Sequence, residues 1–428
     1  MKIYLRVLEA IEAAGIRAWL VGDPVREVAM GIQPMGLSVA VERCDLEALA
    51  TSLGAGTVEG EDAFQVLRAT ILGSRVDISC IRGASIEDDL ARRDFSMNAM
   101  AIRSDDVFVD PWGGRHDIRN GVVRLTGDDI DLVQSDPIRI VRMLRFSAEL
   151  EMSIFWKSEM DVRNFIQKTP DRIRDMPPER WGREVLNGMR RCPHDFICLC
   201  DRYQILPFFL NDVERLKEIV FRDGQSLFEH TRETIRVVQD FLNGRKRRPT
   251  DVALPLAALF HHAGASLDGL PETDRAADIA TSCLKSWNLN SDIANMVIAL
   301  VRNVSLPYEP ATEEQICRWV LKYGFEAVEM LVDFAICNIQ ADRTGDVEVL
   351  ISNKWRLNEV LRRFDDARRR TEGNIRYLTG DEVMELLDIR PGRVVGEILN
   401  ELDMAVGTGI ICSRKEATDW VVRRGAGK

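Results

Sequence analysis

The first 125 residues alternate between short apolar runs and amphipathic stretches. Residues 17–21, 37–41, 64–70 and 75–81 are rich in apolar or β-branched side chains and read as strands. Helical spacing over residues 3–14, 24–30 and 45–53 separates them. The pattern predicts a small mixed sheet backed by helices. From Asp136 onward the apolar positions follow a helical period almost throughout, with breaks at Pro177-Pro178, at Pro249 and along the polar segment 267–274. No exact internal repeat and no low-complexity segment interrupts this order. The expected class is α+β: a mixed-sheet head followed by an all-α remainder.

A chain of 428 residues, 46% hydrophobic and 29% charged, is long enough for about two to four domains with a substantial buried core. The opening Met1-Lys2-Ile3-Tyr4-Leu5-Arg6 lacks the long apolar run of a signal peptide. No uninterrupted apolar stretch is long enough to cross a bilayer. A soluble, bacterial-type cytoplasmic protein with no membrane partner is expected. Nine cysteines, an odd number, suit a reducing compartment. Cys192, His194, Cys198 and Cys200 are metal-ligand types within nine residues. The segment around them reads as an apolar helix, however, where cysteine packs as a small hydrophobe, and no second CxxC pair completes a zinc set.

The net charge of −11 leaves polyanion binding to local patches. Arg245-Lys246-Arg247-Arg248 reads as a solvated helix face or linker. The longer basic stretch 354–370, with Arg362, Arg363, Arg368, Arg369 and Arg370, is diluted by Asp365 and Asp366.

The candidate chemistry lies mostly in residues 19–184. Trp19-Leu20-Val21-Gly22-Asp23-Pro24-Val25-Arg26-Glu27 is a strand that breaks at glycine and enters a helix, an arrangement whose N–H groups and dipole favour an anion, with Arg26 adding charge. Asp23 reads as the cap of a helix beginning at Pro24. Arg92-Arg93-Asp94-Phe95-Ser96-Met97-Asn98-Ala99 is followed by Asp110-Pro111-Trp112-Gly113-Gly114. In Asp136-Pro137-Ile138-Arg139-Ile140-Val141-Arg142-Met143-Leu144-Arg145-Phe146, the residues Asp136, Arg139 and Arg142 fall at i, i+3 and i+6 of an expected helix. A carboxylate beside a guanidinium there presents acceptors and donors in a plane, like the edge of a base.

Together these motifs resemble the class II tRNA nucleotidyltransferase and bacterial poly(A) polymerase family, whose pattern runs LVGGxVRDxxLG, DxD, RRDxxxNA, DPxGGxxDL and DPxRxLRxxRF. The resemblance implies a polymerase-β-like nucleotidyltransferase head at 1–125, a helical neck at 126–208, a degenerate HD-like body at 209–345 and a helical tail at 346–428. It implies Gly22 and Arg26 beside a triphosphate, Arg93 near the same group, and Asp94 and Asn98 near the ribose or as braces. It implies Asp136 and Arg139 reading an incoming C or A, and Arg142 on the nucleotide. Glu179-Arg180-Trp181-Gly182-Arg183-Glu184 resembles the next helix motif, which braces the neck. Thr379-Gly380-Asp381-Glu382-Val383-Met384 and the segment 390–399 resemble the family's tail.

Several positions depart from that pattern. Counted without gaps from Arg26, DxD falls on Gly36-Leu37-Ser38, which offers no carboxylate to hard Mg²⁺. Asp77 remains on a later strand, and Asp23, Glu42 and Asp45 are the other acids near enough in sequence to substitute. Asp23 stands where the family has a second glycine. Only Gly83-Ala84-Ser85-Ile86 separates the strand ending near Arg82 from the acidic turn, so a mobile element linked to primer handling looks trimmed. In the HD-like body, His230, His261 and His262 match an H…HDxGK layout in which Asp has become His262 and Lys has become Ala265. The three histidines read as a transition-metal set or, in the blander reading, as scaffold histidines.

The expected function is therefore an RNA-binding, nucleotidyltransferase-like protein with impaired catalysis. Its suspected partners are a tRNA-like 3′ end, ATP or CTP, and a possible protein. Mg²⁺ enters only if the protein is active. The alternatives are an active enzyme adding C or A to RNA 3′ ends with unusual ligands, and a structural or regulatory scaffold.

Overall fold

The computed structural model describes residues 2–60, 65–128, 130–221, 224–265, 273–342, 347–370 and 376–425. Phe64, at the head of the expected third strand, most of the polar break at 267–274, and the side chains of Arg368 and Arg370 lie outside the described residues. The chain divides into two compact units, Met1–Phe209 and Leu210–Lys428. It is α+β: a mixed sheet with helices, then helices almost throughout.

The first unit begins α1 (Ile3–Glu12), β1 (Ala18–Val21), α2 (Asp23–Ala29), β2 (Leu37–Val41), α3 (Leu46–Leu53), β3 (Thr57–Glu59), β4 (Val66–Ile71), β5 (Ser74–Cys80) and α4 (Ile86–Ala91). It continues through β6 (Ala101–Ile102), β7 (Phe108–Val109), α5 (Gly114–Arg119), β8 (Val122–Val123), α6 (Asp131–Ser135), α7 (Ile138–Glu149) and β9 (Ser153–Ile154). It closes with α8 (Trp156–Lys168), α9 (Pro170–Arg174), α10 (Pro178–Arg191), α11 (Pro193–Arg202) and α12 (Leu206–Phe209). The sheet order is β3-β4-β5-β2-β1-β6-β7. Only β2 and β5 within it run parallel, with Ser38 opposite Asp77.

Period-two alternation divides the sheet's faces. Leu37, Val39 and Val41 of β2 join Val76 and Ile78 of β5 and the apolar faces of α1 and α3 in one core. Ala40 points the other way, into a smaller cluster with Trp19, Val21, Ile86 and Leu90. Ser38 and Asp77 share that second face.

The expected strands and helices stand within a residue or two of their sequence ranges. The sheet's additional strands, β3, β6 and β7, have only two or three residues each, too few to carry a period. One expectation is corrected at the neck. Asp136 is not on a helix: its backbone is extended (φ −149°, ψ 90°) and α7 begins at Ile138. Pro137 disfavours the helical conformation for the residue before it.

The cysteine-histidine cluster at 192–200 lies on or beside α11. Cys192 and Cys200 are buried. Burial pushes the Cys192 thiol up to about 12 and Cys200 well above its ordinary value, so both stay protonated and pack as apolar groups.

The second unit is helical: α13 (Asn211–Glu214), α14 (Leu227–Asn243), α15 (Ala253–Phe260), α16 (Thr273–Ser286), α17 (Ser291–Arg302), α18 (Glu313–Tyr323), α19 (Phe325–Asp342), α20 (Glu348–Arg370), α21 (Gly380–Leu387), α22 (Arg393–Gly407) and α23 (Arg414–Gly425). Capping boxes at Ser226, Thr312 and Thr379 start α14, α18 and α21. No described helix is long and apolar enough to cross a membrane.

The basic run 245–248 is not simply a solvated face. Arg245 reaches buried Asp251 and Asp333, and Arg248 bonds Glu329 at 2.8 Å. These ion pairs fasten the loop after α14 to α19, whose Glu329 and Asp333 are too distant in sequence for the run to reveal, while Asp251 is a local partner.

Two glycines test the packing. A Cβ on Gly188 of α10 would sit 2.5 Å from a ring carbon of Phe196 on α11. Gly188→Ala is expected to destabilise the first unit by about 1–3 kcal/mol through overpacking. Gly396, exposed in α22 with nothing within 4 Å of its Cβ position, is the control. Gly396→Ala should stabilise by about 0.5–1 kcal/mol through lost chain entropy. Urea unfolding of each variant checks both signs.

Candidate functional site

The turn from β1 to α2 requires its glycine twice. Gly22 has φ 72° and ψ −139°, and a Cβ there would lie 2.9 Å from Arg93 Nη1. The Leu20↔Val39 register of β1 with β2 sets this turn beside the start of β2, next to Gly36 and Ser38.

Asp23 does not cap α2. It is the first helical residue, Gly22 takes the cap position, and the Asp23 carboxylate bonds Arg26 Nη1 at 2.7 Å. Arg26 is 5% exposed, hydrogen-bonds Asn98 Oδ1, and lies over the Phe146 ring at 4.8 Å. A carboxylate of the chain itself therefore already engages the cation that was expected to meet a triphosphate.

The segment 92–99 leaves α4 through a helical Arg92, is extended at Phe95 and makes a single 3-10 turn, Ser96–Asn98, whose three residues are buried. Its brace is the Asp110 turn. Asp110 Oδ1 accepts from Gly114 N at 2.6 Å and Oδ2 from Arg115 N at 3.0 Å, which starts α5. A Cβ at Gly114 would collide with Ser96 O, so the second glycine of Gly113-Gly114 permits this close approach. Ser96 Oγ then bonds Asp117 of α5 at 2.5 Å.

The turn holds Asp94 and Asn98 against each other at 3.1 Å. Asp94 Oδ2 lies 3.5 Å from Arg142 Nη1. Arg142 Nε donates to Glu184 Oε1 at 2.9 Å, and Arg145 Nε to Glu184 Oε2 at 2.8 Å. Arg145 also meets Glu149 at 2.8 Å. Arg93 is held by Asp89 at 3.0 Å. Burial disfavours the Arg142 cation, but Glu184, Asp94 and Asp136 outweigh it and raise its pKa above the ordinary value.

Arg26, Asn98, Asp94 and Arg142 thus converge along one connected path, while Arg93 is held by Asp89 beside Gly22. The sequence reading did not assign Glu184, 3% exposed, its central place. The signal was there in Trp181-Gly182-Arg183-Glu184, read only as a brace.

Asp136 and Arg139 do not form a paired edge. Asp136 Oδ2 accepts from Arg180 of α10 at 2.8 Å, while Arg139 donates to the carbonyl of Arg92 at 3.0 Å. The extended backbone at Asp136 turns its side chain off the α7 face. Its Oδ1 is buried without a hydrogen-bond partner among the described residues.

At the positions matching the metal-binding pair, Gly36 precedes β2 and Ser38 lies within it. Asp77 stands beside Ser38 on the parallel strand, but Arg68, its cross-strand neighbour, approaches it at 3.8 Å. Asp45 caps α3, accepting from Glu47 N at 2.9 Å, and Glu42 pairs with Arg17. Both lie past the far end of β2, away from Ser38. One exposed carboxylate beside a guanidinium, a hydroxyl and a glycine do not fit two Mg²⁺ ions.

The connection into α4 is short and closed. Ser85 and Asp88 form a capping box, and Asp88 also accepts from Ala84 N at 2.8 Å.

In the second unit His230 lies on α14, and His261 and His262 directly follow α15. Each offers a nitrogen, and the three lie within 4.8 Å of one another. Burial, then the neighbouring rings, pushes His261 well below its ordinary pKa; burial and His230 bring His262 down to about 3.

A family model described as the poly A polymerase head domain matches residues 69–124. The CCA-adding enzyme of Ligilactobacillus salivarius is 22% identical over 432 residues, covering 96% of this chain and 93% of its own. The CC-adding tRNA nucleotidyltransferase of Halalkalibacterium halodurans is 32% identical over 150 residues, 35% of this chain and 39% of its own. In fold, the Bacillus stearothermophilus CCA-adding enzyme in complex with CTP matches 99% of this chain and 97% of its own, with a TM-score of 0.63 at 19% identity. The Thermotoga maritima CCA-adding enzyme complexed with tRNA gives a TM-score of 0.56 at 18% identity, over 99% and 95% of the two chains.

The Glu184 clamp makes a prediction about stability. Glu184→Ala leaves Arg142 and Arg145 without their shared anion in a largely buried setting and is expected to cost about 3–5 kcal/mol. Arg142→Ala, which leaves Glu184 paired with Arg145, should cost less. Denaturant midpoints of the two variants give the order.

Proposed function

Because this chain belongs to the tRNA nucleotidyltransferase family, we propose that it binds nucleotide and an RNA 3′ end while its capacity for nucleotidyl transfer is impaired. Residues 1–125 serve as head, 126–208 as neck, 209–345 as body and 346–428 as tail in this reading. The observation that carries it is the contrast within one cleft. Asp94, Asn98 and Arg142 are held in a connected, partly buried network and Arg93 is held by Asp89, whereas the positions matching the metal pair offer Gly36 and Ser38, with Asp77 facing Arg68. Asp136 Oδ1, an unsatisfied acceptor, is suited to the exocyclic amine shared by cytosine and adenine. Arg139 and Arg142 supply donors, and Gly22 with Arg26 faces the phosphates.

The missing carboxylates remove the means of lowering the 3′-hydroxyl pKa and of neutralising pyrophosphate. Such a loss costs several kcal/mol, roughly a thousandfold or more in rate. Mg²⁺ is a cofactor only if the protein is active.

The test incubates the protein with Mg²⁺, labelled ATP or CTP and tRNA lacking its 3′ end. Saturable binding of nucleotide or tRNA without extension is expected. Extension by the unmodified chain, lost in Arg93→Ala, would overturn the impairment; absence of both extension and binding would leave a scaffold. The double substitution Gly36→Asp with Ser38→Asp sharpens the test. A Cβ at Gly36 meets nothing within 4 Å, so the new carboxylate has room. Measurable primer extension by the double variant is the expected gain.

A further inference from the structure

The second unit contains a polar cluster that the transfer chemistry does not use. His230, on the first turn of α14, faces His261 and His262 at the end of α15. The ring centroids of His261 and His262 are 4.0 Å apart, those of His230 and His262 5.2 Å, and those of His230 and His261 5.7 Å. Phe221 lies against His230 and His262, and Phe334 meets His261 edge-on, so aromatic walls surround the group.

The hydrogen bonds show which nitrogens present lone pairs. His261 Nδ1 is 2.8 Å from the carbonyl oxygen of Ala258, so that nitrogen carries the proton and Nε2 is an acceptor. Nε2 is buried with no hydrogen-bond partner among the described residues. Both ring nitrogens of His262 are shielded from solvent and likewise have none, although the residue as a whole is half-buried. Buried polar atoms are almost always satisfied. Each neutral imidazole has one lone-pair nitrogen, and one nitrogen from each of His230, His261 and His262 lies within 4.8 Å of the other two, so three lone pairs are available to a single ion.

A fourth donor is held beside them. Asn338 Nδ2 donates to Tyr308 Oη at 2.8 Å, which turns Asn338 Oδ1 toward His230 Nε2 at 3.1 Å and Thr234 Oγ1 at 3.2 Å. Every donor in this set is neutral. That differs from the histidine–aspartate set implied by resemblance to an HD-type body, since neither His262 nor Asn338 brings negative charge.

We propose that His230, His261 and His262 hold one borderline transition-metal ion, of the zinc, cobalt(II) or nickel(II) class, with Asn338 Oδ1 as an oxygen donor. Imidazole nitrogens and an absence of carboxylate select such ions over Mg²⁺ and Ca²⁺, which require hard oxygen ligands. Nitrogens bound at about 2.1 Å in a tetrahedral site stand about 3.4 Å apart. The present spread of up to 4.8 Å closes by small ring rotations. The ion ties α14 and α15 together and, through Asn338, α19, so the site acts on the stability of the second unit. The inference stands independently of any reading of the first unit.

The experiment uses the full chain, free of any histidine tag, stripped with EDTA and passed into chelator-free buffer. Titration with ZnCl₂ and CoCl₂ is followed by calorimetry and, for cobalt, by visible absorption. One equivalent per chain is expected, with an intense tetrahedral cobalt spectrum, a higher unfolding temperature, and no competition from excess MgCl₂. His262→Gln, at the least buried of the three positions, should abolish stoichiometric binding. Asn338→Ala should weaken it about 10- to 100-fold. His116→Ala and His194→Ala, remote in sequence and in the first unit, should leave it unchanged. Absence of one-to-one binding by the unmodified chain overturns the proposal whatever the variants do. Full retention of binding in a folded His262→Gln protein, judged by circular dichroism, overturns it as well.

Discussion

Glu184 fixes the polar interior of the first unit. Two guanidinium groups, from Arg142 and Arg145, share its two oxygens. Without that anion Arg142 keeps only Asp94 and Arg145 only Glu149 as ion-pair partners, a poorer return for leaving water. Once Arg142 is placed, Asp94 has its partner, Asp94 orients Asn98, and Asn98 meets the buried Arg26. The order of signs along this path allows arginine-rich helix α7 to pack through Ile138, Val141 and Leu144 while its charged face remains inside the unit. The arrangement persists whether or not any metal chemistry does, because none of its members depends on strand positions 36 or 38. A chain can therefore lose the acidic pair without losing the architecture around it.

The sheet was legible where strands are long enough to show alternation. Residues 37–41 and the neighbouring strand around Asp77 carry β-branched or apolar residues at alternate positions, and both form as read. The two-residue strands at Ala101 and Phe108 form because neighbours complete them, which no local pattern encodes. Counting from Arg26 brought the metal positions to Gly36 and Ser38; the parallel register then set Ser38 against Asp77 without any sequence proximity.

Asp136 shows the opposite case. Periodicity assigned it to a helix, and a single proline after it overrode the period. Its partner, Arg180, is forty-four positions away, so the exchange of Arg139 for Arg180 could not be anticipated locally. The basic run at 245–248 was misjudged partly for the same reason: Asp333 and Glu329 come from a later helix, although Asp251 lies within the loop itself.

Asp23 has a thermodynamic consequence of its own. A side chain three residues from Arg26 is a competing anion at fixed, high local concentration, present before any solute arrives. Any phosphate approaching Arg26 must first displace it. The competitor is weak, because 63% of the Asp23 side chain remains in water and such a pair contributes at most about 1 kcal/mol. The toll on affinity is thus less than about tenfold, and it falls on monoanions and polyanions unequally. Asp23 therefore stands as a built-in, easily displaced occupant of one Arg26 donor.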